Sequence, residues 1–306
     1  MNTQSSAVPD SPMESRVVAV PRMSPTQPLI WSVRRELWKY RSIYIAPLAV
    51  GAVYLFAFLL STIAGKWERI LRLDPSLPAN KLLEPYMFSS LLIMGTTFLV
   101  AIFFCLDALH DERSDRSILF WKSLPVSDTT TVLAKAAIPL VVLPIVTFVI
   151  TVSLHFMMMV LSSAVLLASG HNPLELWTRL PIFQMWMSIL YHLVCIHSLW
   201  YAPMYAWGIL VSAWARRAAF LWAGLPILTV VFIGKLVFNT WHVLRLFGYR
   251  ISGPETAKAA MHEGMGQLAM VDLGTFLSTP GLWIGLLVAA GFLYGAIQLR
   301  RTQGPL

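Results

Sequence analysis

Long apolar runs separated by short polar stretches dominate the chain. Apolar runs extend over roughly residues 43–64, 86–108, 134–168, 187–213, 219–238 and 280–298. Each is long enough for a helix to cross a hydrocarbon core of about 30 Å. The 134–168 run would reach about 50 Å as one helix. A hairpin of two spans is the other reading, but Val152-Ser153-Leu154-His155 in its middle offers no Gly, Pro or Asn to turn on. One protruding helix, kinked at Pro139 and Pro144, is therefore preferred. That choice makes the count six and sets the side on which every later segment emerges.

The remaining segments are polar or mixed. Residues 1–28 are rich in Pro, Ser and Thr and lack an apolar core, which predicts a disordered cytoplasmic tail rather than a signal peptide. The membrane domain would then be 29–306. Residues 29–42 put Ile30, Val33, Leu37 and Tyr40 on one helical face and Arg35, Glu36 and Lys39 on the other, with Trp31 and Trp38 at the boundary. This is the pattern of a helix lying in the membrane interface. Simple continuation into the first span is the alternative. The Gly-punctuated segment 239–278 reads either as short helices dipping back into the outer leaflet or as a plain loop.

Composition agrees with lipid as part of the solvent. Hydrophobic residues make up 57% and charged residues only 12% of 306 positions, against about a quarter charged in soluble domains. The net charge is +8, but the basic residues cluster at the ends of apolar runs. Membrane topology explains that better than nucleic-acid binding. Arg34, Arg35, Lys39, Arg41, Arg113, Arg116, Lys122, Lys135, Arg216, Arg217, Arg300 and Arg301 share one side. They outnumber those opposite and predict cytoplasmic N- and C-termini. Cys105 and Cys195 both lie in apolar runs, so no disulfide framework is expected.

Little chemistry is written into the spans. His192, Cys195 and His197 sit at offsets that do not share one α-helical face, so no metal site is expected there. His155 is an ionisable residue in mid-span and a default candidate for a pathway. An inter-helix hydrogen bond is the plainer reading for it, as for His192 and His197. Met157-Met158-Met159 point to different sides and form no ladder. His262-Glu263 lacks the second His of a zinc-protease motif.

The most informative stretch is 107–128. A span ends in Asp107. Asp111, Glu112, Arg113, Asp115 and Arg116 follow, then Ile118-Leu119-Phe120-Trp121 and Lys122-Ser123-Leu124-Pro125-Val126-Ser127, with Lys135 beyond. This resembles the first cytoplasmic loop of the membrane subunits of ABC type-2 exporters: an Asp, then Glu-Arg, a short helix, and Leu-Pro-Val-Ser before a Lys. Asp107, Glu112, Arg113, Ser123, Leu124, Pro125, Val126, Ser127 and Lys135 match. Arg116-Ser117 stands where the family often has Gly-Thr, and Phe120-Trp121 replaces smaller residues.

The resemblance implies an all-α integral membrane protein: six transmembrane helices, an N-terminal interfacial helix and a cytoplasmic coupling helix. It implies a multi-pass permease of the cell membrane, the inner membrane in a bacterial cell, coupled to two copies of a separate ABC ATPase and to a second permease subunit, identical or a sister. The coupling helix would meet the ATPase through Glu112, Arg113, Arg116, Phe120, Trp121, Leu124 and Pro125. No cofactor is implied for this chain; ATP belongs to the partner. Consistently, Gly65-Lys66 and Gly234-Lys235 lack the upstream glycine of a phosphate-binding loop. The expected function is export of a substrate the sequence does not specify. Spans without a charged pathway favour an amphipathic or hydrophobic cargo over a small ion. A non-transporting membrane scaffold or assembly factor is the alternative, and a stand-alone carrier or membrane enzyme a more distant one.

Overall fold

The computed structural model describes residues 26–63, 79–123, 126–253 and 273–302. Most of the expected tail, the segments 64–78 and 254–272, and Leu124 and Pro125 lie outside the described residues. Among the described residues the fold is all helical, with six helices long and apolar enough to cross a membrane.

Helix α1 (Gln27–Lys39) starts on Pro28, whose missing N–H costs nothing in a first turn. It breaks at Tyr40, and α2 (Ser42–Ile63) follows as the first span. The second is α3 (Ala79–Asp107), which carries Pro85 inside it. Two short helices follow, α4 (His110–Ser114) and α5 (Ile118–Ser123). Arg116 between them has φ 60°. The loop thus makes a sharp corner rather than one continuous amphipathic helix.

Ser127 then caps α6 (Asp128–Ala137): its Oγ accepts from the Thr130 N–H at 3.1 Å. A π-helical turn, Ile138–Val142, joins α6 to α7 (Leu143–Ala168) without a break, so Asp128–Ala168 is one helical run of 41 residues. The wide turn has a local cause. Pro139 has no N–H to donate, and its ring crowds the carbonyl one turn back; opening the turn by one residue accommodates both. At 1.5 Å per residue the run is about 60 Å long, so α6 extends past the apolar part of the run, where it packs on α1 and on the last helix of the chain with Val132, Lys135 and Ala136 buried.

Helix α8 (Leu174–Arg179) leads to α9 (Ile182–His192), a second π-helical stretch (Leu193–Trp200) and, past Tyr201, α10 (Ala202–Trp214). Gly208 sits where α10 crosses α3. A Cβ there would lie 2.9 Å from the Cys105 Cβ, so the two backbones approach as only glycine allows. The fifth span, α11 (Ala219–Phe238), is apolar apart from Lys235 in its last turn, and Ala219 is its one buried residue. It is tethered by Trp207 Nε1 donating to the Ala223 carbonyl at 3.2 Å and by Trp214 against Trp222. Helices α12 (His242–Ser252) and α13 (Leu273–Leu277) precede the last span, α14 (Pro280–Thr302), which lies along α10.

Side-chain contacts define the two ends of the bundle. Helix α1, the α4–α5 loop, the start of α6, the turn after α10 and the end of α14 meet at one end. Trp200, Tyr249, Arg250 and Gly281 meet at the other. Helix α1 and the last turn of α14 therefore lie at the same end of the bundle, with the loop between the second and third spans.

Candidate functional site

The polar chemistry concentrates at the first of these ends, in a place no single segment of sequence marks. Glu36 in α1 and Lys135 in α6 are each 0% exposed, and Glu112 in α4 is 2% exposed. Lys135 Nζ lies 3.0 Å from Oε1 of both carboxylates. Arg35 Nη2 reaches Glu112 Oε1 at 3.0 Å and also pairs with Glu36. From the last turn of α14, Arg300 Nη1 lies 2.5 Å from Glu112 Oε2, while its Nε reaches Asp128 Oδ1 at 3.0 Å. Three carboxylates, Glu36, Glu112 and Asp128, thus balance three cations, Arg35, Lys135 and Arg300. Buried charge is tolerated only when paired and hydrogen-bonded in this way.

Glu112 is the centre, because it alone touches three cations from three different helices. Its position follows from α4. The short helix packs on the end of α10, where Arg113 donates to the carbonyls of Ala213 and Ala215. These are C-terminal carbonyls with no partner inside their own helix. A second, half-exposed tie lies alongside. Lys39 Nζ pairs with Asp111 Oδ2 at 2.8 Å, and the Tyr40 hydroxyl donates to the same oxygen at 3.2 Å. Burial, with Asp111 beside it, pushes the Tyr40 phenol above its ordinary value, so it remains a donor.

The expected coupling residues divide by orientation. Glu112 and Arg113 turn inward and are spent on the chain itself. Trp121 turns partly back, its ring 4.0 Å under the Arg35 guanidinium. Arg116 and Phe120 face outward, Phe120 at 60% exposure, with Leu119 beside it. Leu124 and Pro125 lie outside the described residues. Arg116 has the left-handed backbone that favours glycine.

The three histidines do not join this site. His155 is fully buried between α3, α7 and α9. Its Nε2 faces the Tyr86 carbonyl at 3.0 Å, and Trp186 Nε1 donates to its Nδ1 at 3.3 Å. A carbonyl only accepts and an indole N–H only donates, so the ring is the neutral Nε2–H tautomer. Ser89 and Ser90 hydroxyls complete its surroundings. The rings of His192 and His197 lie 5.9 Å apart, although the two are five positions apart in sequence. The π-helical turns from Leu193 bring such positions onto one face, which α-helical counting misses. His197 packs edge-on against Phe98 and Tyr201. No group of three His, Cys, Asp or Glu among the described residues is placed to hold a metal ion. Cys105 and Cys195 are free thiols, both buried.

Sequence reasoning missed Glu36, Lys135 and Arg300 as one unit. One signal was present: Glu36 falls between Val33, Leu37 and Tyr40 on the buried face of α1, and a carboxylate inside an apolar stripe needs a buried partner. No family model, curated protein or solved structure matches the chain.

Proposed function

We propose that the chain is the membrane permease subunit of an ATP-driven exporter of the ABC type-2 kind, with the ionic end of the bundle facing the cytoplasm. The supporting observation is the build of the α4–α5 loop. It presents an outward face of Arg116, Leu119 and Phe120, while its inner side is bound through Glu112 to α1, α6 and α14. A loop made only to connect two spans needs no such anchorage. A loop that receives force from a separate ATPase needs both an exposed aromatic anchor and a stiff root.

In this reading Phe120 and Leu119 enter a groove on the ATPase, and Arg116 pairs at its rim. Glu112 and Arg113 act as positioning residues that pass the displacement to the spans. The assembly holds two such chains, or this one and a sister, and two ATPases carrying the ATP. Spans with few charged residues and no charged pathway fit an amphipathic or hydrophobic cargo.

The test is isolation of the complex from native membranes under mild detergent, followed by ATP hydrolysis and transport in vesicles. A nucleotide-hydrolysing subunit should co-purify in fixed ratio and be lost on Phe120→Ala with the permease still folded. Complexes without such a subunit, or with one indifferent to Phe120, would overturn the proposal in favour of a non-transporting scaffold.

A further inference from the structure

Helix α1 has a second face that the ionic joint does not use. Gln27, Ile30, Trp31, Arg34 and Trp38 are all exposed and fall at three- or four-residue spacings, forming one outward stripe, and the exposed Arg41 follows just beyond the end of the helix. Trp31 is 62% and Trp38 67% exposed. The Arg34 guanidinium lies between them, 4.9 Å from the Trp38 ring and 5.7 Å from the Trp31 ring. The stripe contains no carboxylate, and among the described residues neither Arg34 nor Arg41 forms an ion pair. The basic residues of α1 and of the turn after it are thus sorted by direction. Arg35 and Lys39 turn inward to Glu112 and Asp111, while Arg34 and Arg41 turn outward.

Position limits what can cover this stripe. The first span begins at Ser42, directly after Arg41, so the stripe lies where the hydrocarbon ends. Tryptophan favours that depth, and basic side chains there attract anionic headgroups. We propose that the outward face of α1 binds the acidic phospholipid headgroups of its own leaflet, with Arg34, held by Trp31 and Trp38, as the headgroup ligand. Because the same helix holds Arg35 and Lys39 against the loop, lipid gripped on one side of α1 sets the position of the joint on the other. The inference rests on the membrane-spanning reading, and only its regulatory consequence rests on the exporter reading.

The experiment uses the full-length protein in nanodiscs of phosphatidylcholine and phosphatidylglycerol, with bromine on the acyl chains of one lipid or the other. The part of the tryptophan quenching lost in Trp31→Phe/Trp38→Phe reports the lipid beside the stripe. Brominated phosphatidylglycerol at equal mole fraction should quench that part as though enriched about fivefold over phosphatidylcholine. Arg34→Gln should abolish the excess, and Arg34→Lys should keep most of it. Equal quenching by both lipids, an excess that survives Arg34→Gln, or no quenching because water or protein covers the stripe would each overturn the proposal. Lipid preference without any ATPase partner would leave this inference standing and the exporter reading refuted.

Discussion

Replacing Glu112 with Gln preserves side-chain volume and removes one charge from a balanced cluster. In the natural chain Glu112 accepts from Arg35, Lys135 and Arg300 at 2.5–3.0 Å. Hydrogen bonds to charged groups are worth about 1.5–3 kcal/mol each, and stripping one partner from a buried pair costs about 3–5 kcal/mol. None of the three cations is left wholly alone, since Lys135 and Arg35 retain Glu36 and Arg300 retains Asp128. The expected cost therefore sits at the lower end, about 3 kcal/mol. The free energy of unfolding in mixed micelles, read by denaturant titration, measures it. The companion variant is Lys135→Met, which removes one positive charge beside Glu112. Glu112→Gln/Lys135→Met restores equal numbers of opposite charges and should be less damaging than the sum of the singles by about 1–3 kcal/mol. A single-variant cost below about 1 kcal/mol, the range of solvent-exposed ion pairs, would refute a buried joint, as would strict additivity.

Other outcomes follow from particular contacts. Gly208→Ala pushes a methyl against Cys105 and should cost about 1–3 kcal/mol in folded stability, with Cys105→Gly in the same chain recovering part of the loss. His155→Leu leaves the Trp186 N–H without its acceptor and should cost about 0.6–1.7 kcal/mol without abolishing transport, since the ring is a packing element; complete loss of transport in a folded protein would make it a pathway residue. Arg116→Gly suits the left-handed backbone and should leave stability unchanged or raised, while Arg116→Val should lower it by about 1–2 kcal/mol in the same titration. At the other end, Gly285→Ala would drive its methyl into the Arg250 guanidinium, breaking the bond to the Gly281 carbonyl; hydrogen exchange across α12 should accelerate.

The apolar pattern foretold the long helices because lipid imposes a length and a polarity on each one. The fifth apolar run, 219–238, coincides with α11, which has almost no packing to disturb the pattern. Internal packing blurred the rest. Polar ends such as α6 are stabilised by other helices rather than by lipid, so hydropathy does not mark where they start. The site was less legible still. Glu36, Glu112, Lys135 and Arg300 are far apart in sequence, and at helix ends their charges look like ordinary topological determinants. Arg300 and Arg301 are adjacent and identical in type, yet Arg300 is buried against Glu112 and Asp128 while Arg301 faces outward. The facing of α1 was also misassigned. Counting placed Ile30 with the inner stripe and Glu36 with the outer, whereas Ile30 is exposed and Glu36 buried. Tertiary partners, not amphipathicity alone, chose the buried face.

The same geometry constrains how the molecule moves. Sliding the α4–α5 loop away from α6 or α14 would separate Glu112 from Lys135 and Arg300 in a poorly hydrated place, where Coulomb attraction is strong. Rotating α1 would also part Arg35 from Glu112 and from the Trp121 ring. Low-energy motions therefore carry α1, the loop, α6 and the end of α14 as one body. Flexing then falls at the Tyr40 break and at the π-helical turn Ile138–Val142, both outside the cluster. If an ATPase pushes on Phe120, the distance between spin labels at Trp38 and Thr129 should stay fixed through the nucleotide cycle. The distance from Thr129 to a label in the membrane half of α7, such as Phe156, should change. A cycle in which the first distance changes as much as the second would show that the joint opens. Glu112 would then be a gate rather than a root.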